Sequence, residues 1–202
     1  MAGKKQRLDQ YLVEHQLADS REQAKRLILA GEVMVGTEVW DKPSAAVPPD
    51  REIRVKEKPR FVGRGGLKLE GALEHFDIDV TGLTCFDAGA STGGFTDCLL
   101  QRGASKVHAY DVGTNQLVWK LRSDPRVQVR EKFNVRHMSP GDVGEVVDLV
   151  VLDVSFISLT LILPPCWKIL AAQASVVCLI KPQFELGKRE VGRGGIVRDE
   201  SL

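Results

Sequence analysis

The sequence predicts an α/β protein: a largely parallel sheet with helices on both faces, preceded by a small α+β domain. Three observations carry this. The ten residues Asp87-Ala-Gly-Ala-Ser-Thr-Gly-Gly-Phe-Thr96 make a glycine-rich turn between a short apolar run, 83–86, and a helical stretch, 96–101. Two further runs, 146–152 and 174–180, are almost continuously apolar, as central parallel strands covered on both faces must be. Ahead of all three, residues 1–57 alternate helical and strand patterning at a scale too small for the main sheet.

Each element of the larger domain follows from its chemistry. Glycines at 89, 93 and 94 let the backbone turn sharply and sit flush against a ligand. The helix that follows offers free N–H groups and a positive dipole end to polar or anionic groups. A strand over 106–110 then ends in Asp111, 22 residues beyond Gly89, where a carboxylate is placed to accept hydrogen bonds from ribose hydroxyls. This is a nucleoside site on a Rossmann-like strand–turn–helix–strand unit. The turn alone leaves the ligand open. A dinucleotide needs the stricter G-x-G-x-x-G to pack its pyrophosphate, and a purely structural glycine turn needs no ligand. S-adenosylmethionine, a methyl donor without phosphate, suits the looser turn best.

A third strand is expected over 127–130. Asp153 follows the run 146–152 and Lys181 follows the run 174–180, so with Asp87 and Asp111 four strand ends bring polar groups to one rim. In open α/β sheets ligands bind at that rim. Lys68 lies in the first turn of a helix opened by Arg64-Gly-Gly, an end where its charge opposes the helix dipole.

Composition sets the outer limits. The chain has 202 residues, 27% charged, with a net charge of +1, an ordinary balance for one or two domains with a real core. No apolar run is long enough to span a bilayer and the N-terminus lacks a signal-peptide core. Cys85, Cys98, Cys166 and Cys178 lack C-x-x-C pairing. They are expected to be reduced core thiols of a cytoplasmic protein, with no zinc or other metal site. The near-neutral total conceals two basic clusters: seven Lys/Arg against two Glu over 51–68, and five against two over 181–198. Such patches attract polyanions, although a solvated linker and loop would look the same.

The front domain, 1–57, opens with a helical face at Leu8, Tyr11 and Leu12. Ser20 and Gln23 form a capping box for a helix that turns Ala24, Leu27 and Ile28 inward and stops at Gly31. A hairpin over 33–40 and a strand at 53–55 complete it, with Pro43, Pro48 and Pro49 in the intervening loop. The order R-L-D, S-R-x-x-A, G-x-V-x-V resembles the small RNA-binding domain shared by a small-subunit ribosomal protein and pseudouridine synthases. The resemblance implies that Arg7, Ser20, Arg21, Lys25 and Arg26 face RNA, joined by Arg60 and Arg64 around the basic linker 58–64.

Lys68, Asp153 and Lys181 match the first three members of the Lys-Asp-Lys-Glu tetrad of FtsJ-like RNA 2′-O-ribose methyltransferases. With the front domain, R-G-G-L-K, D-A-G-A-S-T-G-G-F-T and I-K-P-Q-F-E, the chain resembles the TlyA or hemolysin-A family over nearly its whole length. That resemblance implies methylation of cytidine 2′-hydroxyls in ribosomal RNA by a methyltransferase domain over 65–202, without metal. Lys68, Asp153 and Lys181 would be catalytic. Asp87, Gly89, Ala90, Ser91, Gly93, Gly94, Phe95, Asp111, Asn134 and Asp153 would hold S-adenosylmethionine, and ribosomal RNA or a ribosomal subunit would be the partner. The tetrad's glutamate should come well after Lys181. Glu185 is too close to be it, so a chain lacking its C-terminal strands is expected.

Rival functions are weaker. Base-amine methylation would place Asn/Asp-Pro-Pro-aromatic where Asp153-Val-Ser-Phe156 stands. Pyrimidine C5 methylation would need a cysteine nucleophile, yet Cys166 lies 13 residues beyond Asp153 in an apolar helical stretch. A pore-forming toxin would need an export signal or a cationic amphipathic helix. A non-catalytic RNA-binding or assembly protein is the strongest alternative.

Overall fold

The computed structural model describes residues 6–48, 51–56, 59–187 and 190–197. They form two compact units, Met1–Lys58 and Pro59–Leu202.

In the first unit, α1 (Leu8–Glu14) and α2 (Arg21–Leu29) pack over two small antiparallel sheets. One pairs β2 (Val33–Val35) with β3 (Glu38–Val39) and β5 (Ile53–Val55). The other pairs β1 (Gln6–Arg7) with β4 (Ala46–Val47), two strands inside stretches the sequence pattern assigned to a helix lead-in and a proline-rich loop. Leu8, Leu12, Ala24, Ile28, Val33 and Val35 make the core. The capping box differs from expectation. Ser20 Oγ accepts from Gln23 N at 3.2 Å, but the Gln23 side chain accepts from the Asp19 amide instead of the Ser20 amide. Gly31 takes the left-handed φ of +69° that ends α2.

The second unit is a five-stranded parallel sheet in the order β10-β9-β6-β7-β8. Its strands are β6 (Thr84–Ala88), β7 (Lys106–Tyr110), β8 (Val127–Arg130), β9 (Val147–Leu152) and β10 (Leu170–Cys178). The first three strands run outward from β6 and the chain then crosses back to β9, so the order reverses between β6 and β9, where doubly wound sheets bind ligands. Alternation in β9 explains why that run is apolar throughout. Leu149 and Val151 enter one core with Leu69, Leu73 and Leu99, from α3 (Gly65–His75) and α4 (Gly94–Gln101). Val150 and Leu152 enter the other with Leu159, Ile162 and Cys166 from α7 (Leu159–Trp167). Two short helices, α5 (Trp119–Arg122) and α6 (Pro140–Val143), complete the connections.

β10 begins four residues before the expected run, and its register against β9 shifts between Leu170 and Ser175. Among the described residues it pairs on one side only. The stretch expected to be a linker is divided: Phe61 is buried in the larger core and the Val62 amide donates to Asp97 Oδ2 at 2.9 Å. Cys85, Cys98 and Cys166 are buried free thiols, each pushed up to about 12 by burial, and Cys178 is half-buried.

Candidate active site

The β6–α4 turn is built around positive backbone angles. Gly89 has φ +82°, and a Cβ there would press on Val154 and the Asp153 carbonyl at 3.3–3.4 Å. The Gly89 and Ala90 amides both donate to the Tyr110 carbonyl, locking the turn to the end of β7. At Gly94 a side chain would meet the Gly63–Gly66 backbone within 3.0–3.3 Å. The two glycine segments therefore lie against each other, and this seats α3, with Lys68, beside the turn.

Asp111 is oriented by backbone donors: Ser91 N gives to Oδ2 at 2.8 Å and Gly113 N to Oδ1 at 2.7 Å. Both oxygens keep further lone pairs for a ligand. Beneath the turn, Asp87 is fully buried. Its Oδ2 accepts from Thr96 Oγ at 2.6 Å, while Oδ1 has no partner. Burial pushes this carboxyl up to about 7, against the pull of the Thr96 hydrogen bond and with a small addition from Asp111 and Asp153.

A cavity of about 720 Å³ opens over these groups, within the range of small-molecule sites. Of the residues expected at a cofactor, Gly89, Ala90, Ser91, Gly94, Phe95, Asp111, Asn134 and Asp153 line it. Gly93 does not: its φ of +99° serves packing against Leu117 and Leu121. Asp87 does not line it either, lying in the layer below. Asn134 Oδ1 accepts from Arg136 N at 3.0 Å, capping a single 3₁₀ turn. Val112, Phe133 and Val135, with Ile162 from α7, supply an apolar wall that the sequence pattern missed; the first three lie in connecting segments, where apolar residues carry no strand or α-helical period.

Lys68, Asp153 and Lys181 converge at the mouth of this cavity. Lys181 Nζ lies 2.5 Å from Asp153 Oδ1, and Lys68 Nζ lies 3.4 Å from Oδ2. One carboxylate thus holds two ammonium groups drawn from α3 and from the loop after β10. Lys181 Nζ also donates to Ser155 Oγ at 2.9 Å, a partner not anticipated. Beside it Phe156 adopts φ +64° and is 91% exposed.

The expected RNA-facing residues divide between the units. Arg7 and Arg21 both bind Asp9, at 3.0 Å each, and Lys25 and Arg26 are exposed on α2. The paired arginines, Arg7 most of all, hold the Asp9 carboxyl down at about 2 against the cost of burial. Ser20 is occupied as a helix cap. In the larger unit Arg60 pairs with Glu70 at 2.7 Å, and Arg64 is exposed at the start of α3.

Residues 61–202 match the FtsJ-like methyltransferase family, and residues 6–53 match the S4 domain. The chain belongs to the FtsJ-like methyltransferase family. It is 49% identical over 202 residues to the 16S/23S rRNA (cytidine-2′-O)-methyltransferase TlyA of Mycobacterium tuberculosis, covering 99% of this chain and 75% of that protein. It is 46% identical over 198 residues to Hemolysin A of Brachyspira hyodysenteriae, covering 97% and 82%. A solved Streptococcus thermophilus structure, 49% identical, superposes with a TM-score of 0.69 over 98% of this chain and 73% of the other. The FtsJ-like domain accounts for the parallel sheet and its rim. The S4 domain accounts for the helical pair, with Arg21 opening α2 and Arg7 in β1 just ahead of α1. Among the described residues, no helix is long and apolar enough to cross a membrane.

Proposed function

We propose that this chain is an S-adenosylmethionine-dependent 2′-O-ribose methyltransferase acting on ribosomal RNA, with cytidine as its target nucleoside. The observation that carries the reading is the Lys68–Asp153–Lys181 cluster at the mouth of a nucleoside-sized cavity. The name of the Mycobacterium relative supplies the nucleotide and the RNA.

The residues present fit S-adenosylmethionine. Asp111, pinned by two amides, is an acceptor for a ribose diol. Val112, Phe133 and Val135 suit a flat adenine beside Asn134. The unpartnered Asp87 Oδ1 below the turn is a buried acid that a cationic amino-acid head favours in its charged form. A pyrophosphate fits less well, because the Gly63–Gly66 backbone already lies against the first residue of α4.

When bound, the donor supplies an electrophilic methyl group. The chain's own residues then act on the sugar. Lys181 Nζ, in its neutral form, takes the proton of the 2′-hydroxyl as general base. Asp153 holds Lys181 in direction and Lys68 at the same rim, so that Lys68 stabilises the oxyanion that develops. Holding the nucleophile in line with the methyl carbon lowers the barrier further. On the S4 domain, Arg7, Arg21, Lys25 and Arg26 bind RNA phosphates, contacts that position the RNA without reading its sequence.

The test is methyl transfer from labelled donor to ribosomal RNA, followed by mapping. Label on a cytidine 2′-oxygen is the expected result. Label on a base, or tight RNA binding with no donor bound in calorimetry, overturns the reading.

A further inference from the structure

We propose that Glu185 is a positioning residue of the catalytic centre, a carboxylate clamp that sets where Lys181 stands. The inference rests on the reading of Lys181 as general base given above. Glu185 ends α8 (Pro182–Glu185), a single helical turn whose N-terminal flank is Lys181. One turn of helix therefore separates the amine from the carboxylate. The carboxylate does not reach the cavity rim. It crosses to the start of α7, where Oε1 accepts from the Leu159 amide at 3.0 Å and Oε2 accepts from Ser158 Oγ at 2.6 Å. The Ser158 hydroxyl in turn accepts from the Thr160 amide at 3.1 Å, so two otherwise free amides of α7 are satisfied through one acid.

The same two segments meet twice more. Lys181 Nζ contacts Asp153 and Ser155, and the Phe184 ring lies 5.1 Å from that of Phe156. Residues 153–159 and 181–185 are thus tied at three points, one at each end and one between. The loop needs holding, because Phe156 sits in the left-handed region, a strained place for a bulky side chain that persists only where its surroundings over-determine it. Glu185 supplies the tie farthest from the chemistry. Without it, the two strand-end loops keep only the Lys181 contacts with Asp153 and Ser155 and the Phe156–Phe184 ring contact, all at a surface that solvent can enter.

The experiment compares Glu185→Ala, Glu185→Gln and Glu185→Asp with the native chain by steady-state kinetics, donor calorimetry and amide exchange at Leu159. NMR of the Lys181 side chain, read without substrate, completes the set. Glu185→Ala lowers kcat 10- to 100-fold, changes donor affinity less than threefold, accelerates Leu159 exchange and shifts the Lys181 signal. Glu185→Gln restores most of kcat, since its amide oxygen accepts from Leu159 N and its NH₂ donates to Ser158 Oγ. Glu185→Asp, which keeps the charge and loses reach, behaves like alanine and carries the test if the alanine variant does not fold. Native kcat together with an unchanged Lys181 signal in the Ala or Asp variant overturns the clamp. Failure of Gln to rescue overturns it as well, pointing to charge rather than geometry. Exchange and NMR report on the clamp even if the native chain transfers no methyl group, an outcome that would count against the proposed reaction alone.

Discussion

The two units each build a carboxylate between two cations, and they do it with different residues. In the S4 domain the Asp9 side chain has no exposed surface, covered by Arg7 and Arg21, whose side chains remain about half-exposed. In the FtsJ-like domain Asp153 is 22% exposed and holds Lys68 and Lys181 at the lip of a cavity. Arginine cannot be deprotonated in a protein and presents a rigid fork of donors; lysine is a compact ammonium that can give up its proton. Under the proposed function, one cluster is a permanent charge offered to RNA phosphates and the other a charge that takes part in proton transfer. The choice of cation then separates binding from chemistry.

Exchanging cation types breaks the comparison most sharply. Lys181→Arg keeps the pairing with Asp153 but removes the base, so methyl transfer falls about 10²–10⁴-fold while donor affinity, measured by calorimetry, changes little. Near-native turnover of that variant would refute proton abstraction by Lys181. On the other side, the double change Arg7→Ala with Arg21→Ala weakens RNA binding. It also flattens the salt dependence of log Kd by about 0.7 per lost phosphate contact, with kcat at saturating RNA preserved.

The buried member of the pair should matter to stability. The Asp9 carboxyl is lowered to about 2 in the fold, below its unfolded value of about 3.9. Its stabilisation is therefore complete above pH 4 and is lost as pH falls toward 2. Asp9→Asn costs about 1–2 kcal/mol at pH 7 after discounting for the solvated arginines, measured by urea denaturation, and the difference vanishes near pH 2. A third carboxylate, Asp87, extends the contrast because its partner is a hydroxyl. Its folded value, raised to about 7, means that stability falls as pH rises from about 4 to about 7 and is level beyond. Asp87→Asn is accordingly near-neutral at pH 4, gives a small gain at pH 5 and raises the melting temperature of the donor-free protein by a few degrees at pH 8. A larger gain at pH 5 than at pH 8 would reverse that sign and refute the assignment.

Much of the site was legible because strand ends and turns have strong local chemistry. Asp87, Asp111, Asp153 and Lys181 each follow an apolar run, and the sheet order brings those ends together. The Ser20 cap and the Gly31 stop were equally visible, being set within a few residues. What escaped depends on distant partners. β1 and β4 are two residues each and exist only through their mutual pairing across some 40 residues. The first half of β10, Leu170-Ala-Ala-Gln173, lacks the β-branched residues that mark a strand and joins through a register shift. Gln23 chose the Asp19 amide over Ser20, a choice of one residue that spacing cannot decide. Gly93 sits in the same glycine run as Gly89 and Gly94 yet faces Leu117 and Leu121, because a turn has an inside and an outside that sequence order does not distinguish. Ser155 lay within a motif read for its neighbours, and Glu185 was weighed only as the tetrad's glutamate, a role its closeness to Lys181 excludes.

The three sequestered sulfhydryls lend the FtsJ-like domain a built-in clock. Cys85 lies in the sheet, Cys98 on α4 and Cys166 on α7, and none can form the reactive thiolate while it stays enclosed. Alkylating or disulfide reagents will therefore tick only when a local segment opens, and the three positions time the strand layer and the helices on either side of it separately.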